Sequence, residues 1–313
     1  MSVEKGAMKV CISNKESSWL KKKTGKARFI MRLIPELIKL GVEVTTDHDH
    51  DVDLDLQLTK YSYKPRGKSI IRYGPTHLGH HYKKGNQLLK SALDAADGVI
   101  YQSNFGKKMC DSFLGPAKKK STVIYNGANP EDYGGSEVVR ARSFVLSTRT
   151  WTPQKRLKQI LKSFLLADIQ HAEIVVMGTC DKPVKHPSIK YFGQCDDSKI
   201  EATLAASETL ISLVWLDCMP NSVCEALCAG MKVITTSTSG TAEIAPDLVL
   251  KEAPWDFKPT NNDRPPKINR NALAELMIKS VDAHAPRPEI VERVNIKNIA
   301  KQYYAFFQEV LNG

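Results

Sequence analysis

Asp217-Cys218-Met219-Pro220-Asn221-Ser222-Val223-Cys224-Glu225, running on into Ala226-Leu227-Cys228-Ala229-Gly230, is the stretch whose reading decides the fold. It follows the apolar run Leu210-Ile211-Ser212-Leu213-Val214-Trp215-Leu216, which reads as a buried parallel strand. A short turn at Pro220-Asn221-Ser222 and a helical segment closed by Gly230 complete a strand-loop-helix unit. Such a turn aims backbone N–H groups at whatever lies above the sheet, and a helix start favours an anion there. Asp217 and Glu225 bracket the turn, so both acids can face one crevice. An ordinary α/β connection, with a capping Asp217 and an exposed Glu225, fits the same spacing.

The flanking sequence repeats the pattern. Phe144-Val145-Leu146-Ser147, Ile174-Val175-Val176-Met177-Gly178, Ile189-Lys190-Tyr191-Phe192-Gly193 and Lys232-Val233-Ile234-Thr235-Thr236 read as strands. Helical periodicity runs through Leu157, Ile160, Leu161, Phe164 and Leu165. Further upstream, Met8 to Ser13, a helix through Ala27, Ile30, Leu33, Ile34, Leu37 and Leu40, and Val42-Glu43-Val44-Thr45 form a βαβ unit. More strands follow at Ser69 to Tyr73, Gly98 to Tyr101 and Thr122 to Tyr125, with Ser103 or Asn104 placed to cap a helix. The polar stretch from Glu131 to Glu137, with Gly134 and Gly135, is the linker candidate. The expected organisation is an N-terminal Rossmann-like domain over 1–132 and a second over 140–287. The amphipathic helical region 288–313 either crosses back to the first domain or packs on its own. Two such halves predict a ligand outside the strand ends.

With 313 residues, 42% of them hydrophobic, the chain can bury two cores. A formal net charge of +11 points to an acidic partner: a phosphorylated substrate, an anionic membrane surface or nucleic acid. No apolar run approaches the ~20 residues of a membrane span, and the N-terminus lacks a signal-peptide core. The seven cysteines are scattered and odd in number, which favours a reducing, cytoplasmic setting.

Several clusters have less to offer than they suggest. Lys23-Thr24-Gly25-Lys26 lacks the spacing of a phosphate-binding P-loop. Asp47, His48, Asp49, His50, Asp51, Asp53 and Asp55 could be metal ligands. Val52, Leu54, Leu56 and Leu58, alternating with Asp53, Asp55 and Gln57, instead read as a half-exposed edge strand guarded by charge. Cys218, Cys224 and Cys228 lack tight zinc-ligand spacing and read as buried packing, so no metal site is expected. His77, His80 and His81 follow a strand exit; any one could be an acid, a base or a surface histidine. Trp151 could stack on a ligand or belong to the core.

Five segments, in order over roughly residues 95–245, resemble the donor half of the GT-B glycosyltransferases, specifically the retaining glycosyltransferase family 4. Asp217, seven residues, Glu225, then Ala226 and Gly230 resemble that family's paired acids. Ser147-Thr148-Arg149 with Lys155, Thr122 to Asn129, Ser239 to Ile244 and Ala96 to Ser103 resemble its other motifs. Here the first acid is Asp rather than Glu, and Arg149 and Lys155 stand six apart rather than five.

The resemblance implies an α/β GT-B fold: two Rossmann-like domains with parallel sheets facing an interdomain cleft, and a C-terminal helix crossing back. It implies transfer of a sugar from a nucleotide-diphosphate donor, such as a UDP-sugar, with retention, without a metal, and with no cofactor beyond the sugar nucleotide as co-substrate. Arg149 and Lys155 would meet the leaving diphosphate. Glu225 would hold the ribose, while Asn221, Ser222, Gly178, Met219 and Pro220 would line the donor site. Asp217 would hold hydroxyls of the transferred sugar, with His77 nearby. The acceptor expected is a glycan or lipid-linked molecule, with peripheral attachment to an anionic membrane compatible with the basic tracts Lys21 to Lys26 and Lys118 to Lys120. Modified DNA bases stand second, and a non-catalytic protein binding a nucleotide or anionic polymer is the rival of a different class.

Overall fold

The computed structural model describes residues 7–12, 20, 24–47, 51–59, 64–74, 76–79, 82–134 and 141–313. Two compact units emerge: Met1–His77 with His81–Gly127 and Ile296–Gly313, and Leu78–His80 with Ala128–Asn295.

The first unit runs β1 (Lys9–Cys11), α1 (Gly25–Lys39), β2 (Glu43–Thr45), β3 (Leu54–Leu58), β4 (Lys68–Tyr73), α2 (Tyr82–Ala95), β5 (Gly98–Tyr101), α3 (Asn104–Leu114) and β6 (Lys120–Val123). Its strands pair in parallel in the order β2-β1-β3-β4-β5-β6. The Thr24 side chain caps α1 by accepting from the Ala27 N–H, and Ser103 caps α3 by accepting from Gly106 N–H. The buried stripe Ala27, Ile30, Leu33 and Leu37 seats α1 on one sheet face. The C-terminal helix Ile296–Leu311 packs beside it through Tyr303, Phe306 and Phe307. Tyr303 Oη accepts a 2.9 Å hydrogen bond from Nε of buried Arg72, whose guanidinium lies 4.3 Å from the Phe29 ring centre. On the opposite face Leu89, Leu93, Cys110 and Leu114 pack against Ile71, Val99 and Tyr101. Covered on both sides, the central strands β3, β4 and β5 are buried along almost their whole length, while the outer strands β2 and β6 are more exposed.

That coverage corrects the edge-strand reading of residues 52–58. β3 lies between β1 and β4, and Leu54 to Leu58 are all buried, Asp55 and Gln57 included. The Asp55 carboxylate is satisfied by the backbone N–H groups of Arg66 (2.9 Å) and Gly67 (3.1 Å), and Asp53 accepts from Lys9 N–H at 2.8 Å. Alternation here marks buried hydrogen bonding rather than a wet face. His48, Asp49 and His50 lie outside the described residues, as do Lys21 to Lys23, His80 and His81. Among the described residues no cluster of acids, histidines and cysteines could hold a metal ion.

The second unit runs β7 (Ala141–Thr150), α4 (Leu157–Ala167), β8 (Glu173–Thr179), β9 (Ile189–Gly193), α5 (Asp197–Ala205), β10 (Ser207–Ile211), α6 (Asn221–Cys228), β11 (Lys232–Thr236), β12 (Leu248–Leu250), α7 (Arg270–Asp282) and α8 (Pro288–Val294). Its parallel sheet has the order β12-β11-β10-β7-β8-β9. Phe144, Leu146, Ile174, Val176 and Ile234 meet α4 and α7 in the core. The terminal region 288–313 is divided at Asn295: α8 belongs to this unit, where the Ala128 N–H donates to Val294 O, and the C-terminal helix belongs to the first.

The apolar run 210–216 is not strand throughout. β10 ends at Ile211, and Leu213, Trp215 and Leu216 are buried in a loop where Leu216 takes a positive φ of 57°. Burial explains their apolarity as well as strand pairing would. Among the described residues no helix is long and apolar enough to cross a membrane.

Candidate functional site

In the second unit Arg149 and Lys155 lie at and just after the end of β7, Gly178 near the end of β8, and Asp217 to Glu225 in the loop and helix after β10. Arg149 closes β7 and is exposed. Lys155 ends the single turn Pro153–Lys155, where its ammonium donates to Thr148 Oγ1 and to the Thr150 carbonyl, each at 2.5 Å. Arg156 then adopts left-handed backbone, φ 60°, ψ 26°, before α4 begins. A side chain in that region is strained and persists only where its surroundings impose it. The imposing partner is Glu252: Arg156 Nη1 donates to Oε2 at 2.9 Å and Nη2 stands 2.8 Å from Oε1, with both side chains buried. The same carboxylate accepts from the hydroxyls of Thr236 and Thr238.

Asp217 follows β10. Its Oδ1 accepts the Met219 N–H at 2.9 Å, shaping the turn, and its carbonyl accepts the Gly240 N–H at 2.9 Å. Burial pushes the Asp217 carboxyl above the ordinary aspartate range, against the pull of the Met219 N–H and of Lys155. Burial likewise lowers the Lys155 ammonium, against the pull of Asp217. The two charges therefore sense each other across neighbouring loops. Pro220 occupies the cap position of α6, and no side chain caps that helix start. Asn221 and Ser222, both half-buried, form its first turn. Glu225 is 1% exposed, which removes the exposed-glutamate reading. Gly230, at φ 71°, closes the helix as the Met231 N–H reaches back to Ala226 O.

Backbone and amide bonds stitch the loops together. Gln154 Nε2 donates to Trp215 O at 2.6 Å, and Trp215 N–H returns to Gln154 O at 3.1 Å. Leu216 N–H donates to Thr238 O at 3.0 Å. Gly178 owes its identity to close approach: at φ 103°, an added Cβ would sit 2.0 Å from Thr148 O. Trp151 bridges β7 and β8, its indole N–H on Met177 O at 3.1 Å, and packs at the edge of the core. Cys224 and Cys228 are buried, and the Cys228 thiol points to the carbonyls of Ala128 and Val294.

His77 belongs to the first unit and is exposed. Its backbone is held from both sides by Asn86 of α2: His77 N–H donates to Oδ1 at 2.8 Å, and Nδ2 donates to His77 O at 2.9 Å. The imidazole packs over Gly85, where a Cβ would fall 2.8 Å from its Cγ. In the same unit, Lys118, Lys119 and Lys120 stand near Asp94, Asp97 and Glu309, so this tract is locally compensated.

Sequence reasoning missed Gln154, Arg156, Glu252, Gly85 and Asn86. Arg156 alone left a trace, as the bulky residue immediately after Lys155 and before a helix.

No protein-family model matches the chain, and no curated protein matches it in sequence. Solved structures do. Sucrose-phosphate synthase from Thermosynechococcus elongatus superposes with a TM-score of 0.70 at 13% identity, over 97% of this chain and 99% of that one. AviGT4, a glycosyltransferase involved in avilamycin A biosynthesis, gives 0.68 at 16%, covering 98% of each chain. Anabaena HepE, solved with UDP and glucose, gives 0.67 at 12%, over 96% of this chain and 99% of that one. The chain thus has the α/β fold of the GT-B class, with two Rossmann-like units.

Proposed function

We propose that this protein is a glycosyltransferase that takes a sugar from a nucleotide-diphosphate donor. The observation that carries the reading is the convergence of Lys155, Asp217 and the start of α6 on adjoining loops, with the buried acid Glu225 one helical turn further on. A basic side chain, a helix start and two acids are the groups a sugar diphosphate requires. The likeness to HepE, which was solved with UDP and glucose, supports a UDP-sugar as the donor.

In this reading Arg149 and Lys155, with the α6 N-terminus, offset the charge that builds on the leaving diphosphate. These cations supply what a divalent ion would otherwise supply, and metal-independent transfer is the expected behaviour. Glu225 accepts from the ribose hydroxyls, while Asn221, Ser222, Met219, Pro220 and Gly178 line the donor. Asp217 takes hydroxyls of the transferred sugar, and His77 is a further contact to it. Retention of anomeric configuration follows from the resemblance to glycosyltransferase family 4, and no protein nucleophile is assigned. The acceptor is a glycan or a lipid-linked molecule.

The test is a panel of UDP-, GDP- and ADP-sugars scored by thermal stabilisation and by slow hydrolysis, with and without excess chelator. One donor that stabilises the protein and is turned over in chelator supports the reading. Silence across the panel overturns it, and dependence on added manganese overturns its metal-free part.

A further inference from the structure

The second unit also holds a cavity of about 980 Å³ that none of Arg149, Lys155, Asp217, Asn221, Ser222 or Glu225 lines. Its apolar lining includes buried Leu157, Leu161 and Ile268, with Trp151 on one wall. Six exposed cations surround it: Lys158, Lys162, Lys182, Arg264, Lys267 and Arg270. Only Asp181 and Asp263 oppose them, and among the described residues none of the six is held in an ion pair.

Two helices begin at this cavity with the wrong charge. α4 has no acid in its first turn and carries Lys158 there; α7 has none either and opens with Arg270. Cations at the positive end of a helix dipole are disfavoured. Two such placements beside four more unpaired cations make an electropositive hollow that an anion relieves. A volume of this size matches a site for one small molecule.

We propose that this cavity is a second ligand site, separate from the donor residues, for a nucleotide-sized molecule bearing two or more phosphates. The phosphates meet the lysines and arginines of the rim, and the aromatic body lies against Trp151 and the apolar lining.

Isothermal titration with ATP and with inorganic tripolyphosphate tests the assignment on the full chain. Lys158→Glu/Lys162→Glu and, on different segments, Lys182→Glu/Lys267→Glu are each expected to weaken both probes at least tenfold. Arg149→Ala, at the donor site, should leave this binding unchanged. All substituted rim residues are exposed, and an unaltered melting curve confirms folding. Binding lost in Arg149→Ala but kept in both rim variants would place the ligand at the donor residues and overturn the proposal. Failure of both probes overturns it too, as does rim-dependent binding of a 12-nucleotide single strand alone, which makes the occupant a nucleic acid.

Discussion

Arg156 and Glu252, 96 positions apart, meet inside the second unit as a two-pronged ion pair. Arg156 is immediately next to Lys155 and holds the strained backbone that turns the chain into α4. Glu252 is shared with Thr236 and Thr238, so one buried carboxylate ties the β7 loop to the β11 loop.

Removing the acid should be costly. Glu252→Ala strands a buried guanidinium, a loss of about 3–5 kcal/mol. The expected result is a fall in Tm of roughly 10 °C, read by calorimetry, with Glu252→Gln intermediate. A change below about 1 kcal/mol would show that the pair is no latch.

Glu225 separates binding from folding. Glu225→Gln keeps an acceptor oxygen in a buried place and should preserve the fold. It should raise the donor KM by roughly 10- to 100-fold, the range of a hydrogen bond to a charged group. Steady-state kinetics with the active sugar nucleotide decides, and an unchanged KM removes the ribose role.

Asp217 predicts a trade of activity against stability. Its folded pKa is raised by burial, so ionisation costs the folded state stability at any pH above that value. On acidification through the folded pKa the proton is taken up and the cost disappears. Asp217→Asn retains the Oδ1 that accepts the Met219 N–H. It should therefore be more stable than the parent near neutrality, with the gap closing as pH falls, while transfer drops sharply. Denaturant titrations at several pH values check the sign; a variant less stable at neutral pH would refute the assignment.

Asn86 is expected to act on His77. Asn86→Ala leaves the His77 N–H and carbonyl without their partner, worth about 1–3 kcal/mol locally. If His77 contacts the transferred sugar, Asn86→Ala and His77→Ala should each lower kcat, and the double variant should be little worse than either. Independent, multiplying effects would mean that Asn86 serves only the fold.

Most strands of both sheets were legible because buried parallel strands carry apolar runs, and each helix repeats every three or four residues; the short strand Leu248–Leu250 was missed, and the sixth strand runs over Lys120–Val123 rather than Thr122 to Tyr125. The acids and cations proposed for the donor, Arg149, Lys155, Asp217 and Glu225, were named from spacings that resemble a known family's. Periodicity misread residues 52–58 and 210–216. Asp55 looked wet because a polar residue alternated with leucines, yet the Arg66 and Gly67 N–H groups satisfy it in a central strand. Leu213, Trp215 and Leu216 looked like strand because burial alone demands apolar side chains.

By itself, then, the sequence determined the α/β class and most of the strands along the chain. Tertiary structure alone decided that Glu225 is buried, that burial raises the Asp217 carboxyl and lowers the Lys155 ammonium, and that Arg156 closes on Glu252. The reason is physical: local pattern reports whether a residue prefers water or the interior. Partners separated by tens of residues are chosen by the geometry of the folded loops, which local pattern does not encode.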